Sequence, residues 1–512
     1  MGKGCTLVAL IMVGTLACHR DAPPPPAQPE AVAAPAPPSE KVAAPAAQAE
    51  RAAAAPTSTA LALGAASGRL APLLGINMGP DPSGKGTVDL TKLYQDRGIT
   101  LIRTHDFKGA FDLTSPTFDA TDRVVQHIHA GGFGTYLRLG NSFGAGATTL
   151  GTEELVRSMV AMLEHVQGKK GPGVQYVEVW NEPDNREFWT QGDQAYFTLY
   201  LATARAVRAR YPKVRIGGPA LTPAGALTPR GRFFVERFLA AVKADGAPLD
   251  FVSWHMYSND PAEFSKAAEF YRESAIKAGF GDIDQHVTEW NTSYKGAGET
   301  LPGGEERKKA KEEEEESREG KRGKAGGEGK HGKGKGRQGE FAAEGEARAA
   351  AKRDPQVRVG TKGSALATGA WIAMQQSGVD QTFFYRGPDP APYPSAFFGM
   401  FYADGRPKPA GFAALLWKRM ADHASRLSLT GPGTGPIWAV AGQSPAGTTA
   451  VLLANATDQA QPWTLACPAG TVTPIQTMHV RGTAEAVERG SQPDCSGTLD
   501  AWEVRYLEWG GR

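Results

Sequence analysis

VWNEP at residues 179–183 and VTEWN at residues 287–291 are the two stretches that decide the fold of this chain of 512 residues. Each is a β-prone run that carries a glutamate, Glu182 or Glu289, at or just beyond its end. In a closed barrel of parallel strands, the carboxyl ends of all strands lie at one face. We therefore expect these two carboxylates to line a common pocket.

The chain from Ala71 to about Leu415 alternates short β-rich runs with longer helical patterns. The predicted strands are Leu73–Asn77, Thr100–Thr104, Gly134–Leu139, Gln175–Trp180, Val214–Gly218, Phe251–His255, Gln285–Glu289 and Gln381–Phe384. The predicted helices are Asp122–Ala130, Thr152–Gln167, Gln194–Arg210, Arg232–Ala244, Pro261–Gly279 and Ser364–Ser377. This alternation implies parallel pairing, and eight units favour a (β/α)8 barrel over residues 69–420. A doubly wound open sheet is the alternative, although no Gly-rich dinucleotide-binding turn follows the first strand.

The C-terminal residues 421–512 have a different pattern, in which short alternating runs are separated by Gly, Pro and Asp. This pattern predicts a small β-sandwich. Cys467 and Cys495 both lie in it, and an even pair of cysteines in an exported chain predicts a disulfide. Two buried free thiols are the alternative.

The N-terminus has the layout of an export signal over residues 1–18: a basic start, an apolar run, and Ala17 before Cys18. Cys18 resembles the lipidated cysteine of a bacterial lipoprotein cleavage site, although Thr15 stands where such sites usually carry Leu. We therefore expect either a protein anchored in the cell envelope by a lipid on Cys18 or a secreted one. Residues 19–68 are rich in Pro and Ala, and they are predicted to form a disordered linker.

A second biased segment, residues 303–354, combines a run of glutamates with Gly/Lys repeats and has almost no apolar residues. This composition predicts disorder. The segment lies between the seventh and eighth predicted strands, so we expect it in the loop after strand seven, at the face that carries Glu289.

The charge balance and the cysteine pattern argue against several classes of protein. The formal net charge of +2 gives no overall attraction to nucleic acid, and the Gly/Lys run lacks interleaved aromatic residues. No Cys-x-x-Cys occurs, so a thiolate zinc site is not expected. We expect no metal, no cofactor and no nucleic-acid partner.

Two carboxylates that face each other can cleave a glycosidic bond without a cofactor, because one protonates the leaving oxygen while the other attacks the anomeric carbon. Glu182 suits the first role. Glu289 suits the second role if hydrogen bonds from Arg103 and Tyr257 keep it ionised. A structural ion pair is the alternative for each glutamate.

Several motifs resemble glycoside hydrolase family 39, which contains β-xylosidases and α-L-iduronidases. In chain order they are YVEVWNEPD (176–184), FW (188–189), YF (196–197), GGP (217–219), SWH (253–255) and TEWN (288–291). The resemblance implies a (β/α)8 barrel in which Glu182 is the acid/base, Glu289 is the nucleophile and Asn181 binds the sugar 2-hydroxyl. It also implies that the anomeric configuration is retained.

Further pocket residues are expected at other strand ends. The predicted substrate-binding residues are Asn181, Arg103, His105, His255, Tyr257 and Trp290. The family commonly has Arg-x-His-Gly at the end of strand two, whereas this chain has Asp106 after His105, so the resemblance does not fix the sugar contacts there. A hydrogen-bonded wall histidine and a packing tyrosine are the alternatives for His255 and Tyr257. The tryptophans beside the motifs are predicted to be core or pocket floor, with at least one stacking on a sugar: Trp180, Trp254 and Trp290.

These patterns together predict an exported retaining glycosidase that acts on an oligosaccharide or polysaccharide, with terminal β-xylose as the expected sugar. A membrane would be a second partner through the lipid on Cys18. A non-catalytic carbohydrate-binding lipoprotein on a barrel scaffold is the alternative, and the presence of both Glu182 and Glu289 argues against it.

Overall fold

The computed structural model describes residues 58–80, 88–106, 109–141, 147–293, 356–389, 397–431, 435–467 and 474–510. The predicted signal with Cys18, most of the predicted linker and the charged segment 303–354 lie outside these ranges. Among the helices inside them, none is both long enough and apolar enough to cross a bilayer.

Eight parallel strands close into a barrel in chain order, after a first strand, β1 (Thr59–Arg69), that belongs to a second sheet. The barrel strands are β2 (Gly75–Asn77), β3 (Leu101–Arg103), β4 (Gly134–Leu139), β5 (Val174–Val179), β6 (Arg215–Leu221), β7 (Phe251–Tyr257), β8 (Asp284–Asn291) and β9 (Gln381–Phe384). Each predicted barrel strand overlaps one of these, so the (β/α)8 prediction is confirmed. The open-sheet alternative is wrong, because β9 pairs with β2 and closes the ring.

The helices lie between and after the barrel strands. They are α1 (Thr91–Asp96), α2 (Asp119–Ala130), α3 (Thr152–Gln167), α4 (Asp193–Arg210), α5 (Ala224–Leu227), α6 (Pro229–Asp245), α7 (Pro261–Lys277), α8 (Gln356–Val359), α9 (Thr361–Gln376) and α10 (Pro409–Ala421). A proline at the first position and a side-chain cap define the starts of α6 and α7: Thr228 accepts from the amide of Gly231, and Asp260 accepts from that of Ala262. These caps set the residues at which α6 begins after β6 and at which α7 begins after β7.

Aromatic side chains fill the interior of the barrel below its carboxyl-terminal face. This buried layer is formed by Tyr136, Tyr176, Phe251, His286 and Phe383. Side chains two residues further along a strand point the same way, one layer nearer the carboxyl ends. Two residues after the paired Tyr136 and Tyr176 come Arg138 and Glu178, which are also paired across β4 and β5. An aromatic floor therefore supports a layer of buried charges.

The remaining strands form the second sheet. They are β10 (Ser425–Thr430), β11 (Ile437–Gln443), β12 (Thr449–Asn455), β13 (Gln461–Ala466), β14 (Ile475–Val480), β15 (Glu488–Gln492), β16 (Ser496–Leu499) and β17 (Val504–Trp509). Together with β1 they make nine strands in the order β15-β14-β17-β12-β11-β10-β1-β13-β16. The β-sandwich prediction is confirmed in that residues 421–512 form a second, mostly β region; its strands belong to one nine-stranded sheet, which also includes β1 from before the barrel.

The linker prediction for residues 19–68 is wrong at its C-terminal end. Residues 59–69 form β1, which pairs antiparallel with β10 and parallel with β13. Leu61 and Leu63 pack on the core of the second sheet, but the Ala, Gly and Ser side chains that follow are mostly exposed, so the apolar alternation is too short to predict a strand. The sheet domain is consequently discontinuous in sequence.

The second sheet buries both of its faces along β11. Ile437 and Ala439 contact an apolar cluster that includes Trp463 and Leu499 from the far end of the strand order, so the sheet curls over itself. The alternate residue Trp438 packs against the barrel, where it approaches α9. Next to the curled core, Cys467 and Cys495 form the predicted disulfide, with their Cα atoms 5.9 Å apart.

Candidate active site

Polar side chains from five barrel strands converge at the carboxyl-terminal face. They are Asn77 at the end of β2, Arg103 and His105 at and after the end of β3, Asn181 and Glu182 just after β5, His255 and Tyr257 in β7, and Glu289 in β8. Strand ends carry these residues because consecutive βα units direct every carboxyl end to the same side of the barrel. The structure brings the predicted pair of glutamates together with five of the six predicted substrate-binding residues.

Glu182 and Glu289 face each other across His255. One ligand atom from each of the three side chains lies within 4.8 Å of the other two. Nδ1 of His255 is 2.8 Å from Oε1 of Glu182 and 3.8 Å from Oε2 of Glu289. The Glu182 side chain is 12% exposed and that of Glu289 is 7% exposed, so both carboxyl groups are accessible from the mouth but largely shielded.

This trio is also, by residue type, a possible set of ligands for a divalent cation. The guanidinium of Arg103 nevertheless lies 2.7 Å from Oε1 of Glu289. A permanent buried cation at that distance repels a second one, because Coulomb energies are large where water is excluded. The electrostatics therefore favour a pair of free carboxyl groups over a metal centre.

Glu289 is held by the two hydrogen bonds expected from the sequence. Arg103 donates from Nη1 to Oε1 at 2.7 Å, and Tyr257 donates its hydroxyl to Oε2 at 2.9 Å. His105 adds a third contact, with Nε2 3.1 Å from Oε1. Burial alone would raise the pKa of Glu289, but His255, the His105 hydrogen bond and Arg103 outweigh it and hold that pKa well below its usual range. Glu289 is therefore an anion at neutral pH.

His105 contributes as a neutral ring. Burial lowers the pKa of His105 to about 4, although contact with Glu289 acts in the opposite direction. Its Nε2 lies 3.0 Å from Oδ1 of Asn77 and 3.1 Å from Oε1 of Glu289, which are acceptors, and 3.0 Å from Nη1 of Arg103, which is a donor. Because the His105 ring is neutral, the fixed positive charge beside Glu289 comes from Arg103.

Arg103 is a buried hub, and the prediction that it contacts the sugar is wrong. Its side chain has no exposed surface. It donates to Glu178, Asn77, Asn181 and Glu289, with donor–acceptor distances of 2.8, 3.0, 2.8 and 2.7 Å. The guanidinium can therefore influence a ligand in the pocket only through the groups that it orients.

Arg103 also fixes the amide orientation of Asn181, because it donates to Oδ1. The NH2 group of Asn181 is thus the end that can donate to a substrate hydroxyl. Asp106, which departs from the family motif, pairs instead with the buried Arg138 of β4. The charge of Arg138 also reaches His105, where it helps to lower the pKa of the ring.

Trp290 does not line the pocket, contrary to the prediction. It has no exposed surface and packs against Trp371, Phe384 and Phe264 in the layer between the barrel and its helices. Glu289 points into the barrel mouth, so the next residue on the strand must point outward.

Sugar stacking by Trp180 or Trp254 is wrong as well, because both are completely buried. Trp180 contacts Trp189, and Trp254 stacks on Tyr271. The aromatic wall at the mouth consists of tyrosines instead. Tyr385, the residue after β9, lies 5.6 Å from the ring of His105 and 6.2 Å from that of Tyr257.

The sequence interpretation missed Asn77, Glu178 and Tyr385. Asn77 and Tyr385 stand at the ends of two predicted strands, and this position is itself a signal that selects them. Glu178 had no such signal, since its role depends on the layer of the barrel in which it meets Arg103.

The closed barrel and the facing glutamates define the class of this protein, a (β/α)8 barrel with a paired-carboxylate site. Within that class, residues 150–295 match the model of Glycosyl hydrolases family 39. The matched segment contains both Glu182 and Glu289, and the resemblance inferred from the motifs is confirmed.

Curated relatives match over a limited part of their length. The β-xylosidase of Geobacillus stearothermophilus is 33% identical over 137 residues, which are 23% of this chain and 26% of that protein. The β-xylosidase of Caldicellulosiruptor saccharolyticus is 32% identical over 156 residues, or 28% of this chain and 29% of that protein. The chain thus spans less than a third of the length of these relatives.

Similarity in three dimensions extends much further. The crystal structure of a glucosidase from Croceicoccus marinus superposes with a TM-score of 0.61 at 19% identity, covering 89% of this chain and 100% of that one. This likeness shows that the fold is shared.

Proposed function

We propose that this protein is a retaining glycoside hydrolase, and the observation that carries the proposal is the short separation of Glu182 and Glu289. Their oxygens lie within 4.8 Å of each other. Retaining glycosidases hold their carboxyl groups about 5–5.5 Å apart, whereas inverting enzymes leave about 6.5–9.5 Å to admit a water molecule. The spacing supports direct attack on the sugar by one of the two carboxylates.

The surroundings of each glutamate support a division of roles. Glu289 is anionic and held by Arg103 and Tyr257, which suits a nucleophile that attacks the anomeric carbon. Glu182 shares a hydrogen bond with His255 and protonates the departing glycosidic oxygen. The bond from the anomeric carbon to that oxygen breaks as the bond to Glu289 forms. Glu182, now a carboxylate, then takes a proton from water, which releases the sugar from Glu289 with retained configuration.

The proposed substrate is an oligosaccharide or polysaccharide with a terminal β-xylosyl residue. Both curated relatives are named β-xylosidases, and the aligned segments support this sugar as the first to test. A panel of 4-nitrophenyl glycosides that includes β-xyloside, β-glucoside, α-L-arabinofuranoside and α-L-iduronide compares the candidates directly. We expect the highest kcat/KM on the β-xyloside, and a higher value on another sugar would overturn the substrate while leaving the reaction type intact.

Proton NMR of the first-formed product tests the reaction type. Hydrolysis of a β-xyloside should release β-xylose first, with α-xylose appearing later by mutarotation. Initial release of α-xylose would contradict the double-displacement mechanism.

A carbohydrate-binding protein without turnover is the second candidate. The intact and facing pair of glutamates argues against it, since binding alone needs neither an acid nor a nucleophile. Xylan binding that persists without turnover of any glycoside in the panel would favour this candidate over the hydrolase.

Export to the cell envelope is also proposed, on the basis of the signal-like residues 1–18 and Cys18. Metabolic labelling with palmitate should mark the wild-type protein but not the Cys18→Ala variant. Equal labelling of both would rule out lipidation at Cys18, and the absence of label on both would support simple secretion.

A further inference from the structure

The turn that carries Glu182 has an unusual backbone. Trp180 has a φ of 72° and Glu182 has a φ of 47°, both in the left-handed region that residues with side chains rarely adopt. Such conformations cost about 1–3 kcal/mol each and persist where surrounding contacts over-determine them. The orientation of the Glu182 carboxyl group therefore depends on what holds residues 180–184 in place.

Contacts with the end of β6 hold this turn. The amide of Glu182 donates to the carbonyl of Ala220 at 3.0 Å. Two residues later, Asp184 accepts from the amide of Thr222 at 3.1 Å and from the Thr222 hydroxyl at 2.6 Å. These three bonds join the turn after β5 to the last residues of β6 and to Thr222 directly after it, and they lie on both sides of Pro183.

Asp184 is a charged acceptor in this arrangement. Burial raises the pKa of Asp184 to about 6, the hydroxyl of Thr222 opposes that rise, and the charge of Glu182 adds to it. Above that pH both bonds from Thr222 go to a carboxylate, and hydrogen bonds to charged groups are shorter and stronger than neutral ones. The Asp184 carboxylate bonds to Thr222, whereas the carboxylate of Glu182 bonds to His255 and Asn185.

We propose that Asp184 is a positioning residue that, through Thr222, fixes the direction in which Glu182 delivers its proton. This inference rests on the proposed function, because it concerns the acid/base role of Glu182. The bonds between Asp184 and Thr222 lie next to Glu182, whereas Glu289 is held separately by Arg103 and Tyr257. Loss of Asp184 should therefore impair proton delivery and spare nucleophilic attack.

Two aryl β-xylosides distinguish these steps. A 2,4-dinitrophenyl leaving group departs without protonation, whereas an unsubstituted phenyl group needs the acid. We expect Asp184→Ala to lower kcat/KM on phenyl β-xyloside about 100-fold, the size of effect that follows displacement of a catalytic group by about 1 Å. On 2,4-dinitrophenyl β-xyloside we expect a change of no more than about threefold. Thr222→Val, which keeps the amide donor, should show the same selectivity to a smaller degree.

Asp250 provides a matched control. Like Asp184, it accepts a hydrogen bond from a backbone amide, that of Ile216 at 2.8 Å, but near the start of β6 instead of directly after its end; it also pairs with Arg208. Asp250→Ala should lower the melting temperature and affect both xylosides equally. If Asp184→Ala and Thr222→Val lower kcat/KM equally on both substrates, Asp184 contributes only to stability and the inference is wrong.

Glu182→Gln separates this inference from the function on which it rests. If Glu182→Gln shows the leaving-group selectivity and Asp184→Ala does not, the positioning role is wrong and the proposed function stands. If Glu182→Gln shows no selectivity, or if the wild-type protein hydrolyses neither xyloside, the acid/base role fails and the inference fails with it.

Discussion

Arg103 places one permanent positive charge between two buried carboxylates, Glu178 and Glu289, and this arrangement defines the residue scale of the site. Its planar guanidinium donates to four side chains, which lie in or directly after three other strands, β2, β5 and β8. A charge of this kind stabilises the anionic form of Glu289 without needing a proton from solvent.

Arg103→Lys should damage the nucleophile more than the acid. A lysine keeps the charge but presents a compact ammonium that cannot span Glu178, Asn181 and Glu289 together. We expect kcat/KM to fall about 100-fold on phenyl and dinitrophenyl xylosides alike, because misplaced nucleophiles slow both. Activity within threefold of wild type on both substrates would show that charge alone suffices, and circular dichroism serves to exclude misfolding.

The pKa of Glu289 predicts a pH dependence of stability. Because that pKa is lower in the folded state than in the unfolded one, the unfolded chain binds the extra proton as pH falls through about 4.5. The contribution of Glu289 is therefore present above that pH and is lost below it. Denaturant titrations at about pH 5.5 and 3.5 should show a smaller loss of unfolding free energy in Glu289→Gln than in wild type. An identical loss would mean that the pKa of Glu289 is unshifted.

At the scale of elements, the order of the strands made the barrel predictable from the sequence, and the positions of the strand ends made the two glutamates predictable. The alternation of β-rich runs and helical patterns predicted all eight barrel strands, and the rule that active groups follow parallel strands predicted the positions of Glu182 and Glu289. Trp290 was misplaced although the two-residue period of a strand already directs it away from Glu289. The burial of Arg103 was not predictable, because it depends on the barrel layer in which its side chain meets those of Glu178 and Asn77.

Strand β1 was missed for a different reason. Its residues continue the small, Ala-rich composition of the preceding segment, and its side chains are mostly exposed. Its pairing partners, β10 and β13, are more than 350 residues away in the sequence, so the residues around β1 contain no signal that predicts this pairing. Backbone pairing between such distant segments cannot be predicted from the periodicity of apolar residues.

Removal of β1 should destabilise the sheet domain. A chain that begins at residue 70 leaves one edge of β10 and one edge of β13 without a partner. We expect a lower melting temperature and a tendency to aggregate relative to a chain that begins at residue 58, measured by differential scanning calorimetry and light scattering. Equal stability of the two chains would show that β1 contributes nothing to the fold.

At the scale of the whole molecule, the barrel holds the candidate site and the second sheet packs against the barrel. Trp438 of the sheet packs near α9, and Gln376 of α9 donates to the carbonyl of Ala439 in the sheet. Helix α9 begins at Thr361, three residues after Arg358. Arg358 in turn donates to the carbonyl of Thr292, so the chain on the two sides of the charged segment is in direct contact.

Deletion of residues 303–354 should leave hydrolysis largely intact for that reason. A short link suffices to close a loop whose ends already touch, and loop-closure entropy changes slowly with length. We expect kcat/KM on an aryl xyloside to stay within about threefold of wild type. Complete loss of activity would show that the charged segment takes part in catalysis or substrate access.

Covalent trapping tests the central claim, that Glu289 attacks the sugar while Glu182 faces it, most directly. A 2,4-dinitrophenyl 2-deoxy-2-fluoro-β-xyloside should inactivate the protein with release of one dinitrophenolate per chain, because the fluorine slows hydrolysis of the glycosyl-enzyme. Peptide mass spectrometry should then find the fluoroxylosyl group on Glu289. A label on another residue, or turnover of ordinary xylosides with no adduct and inverted product, would contradict the account.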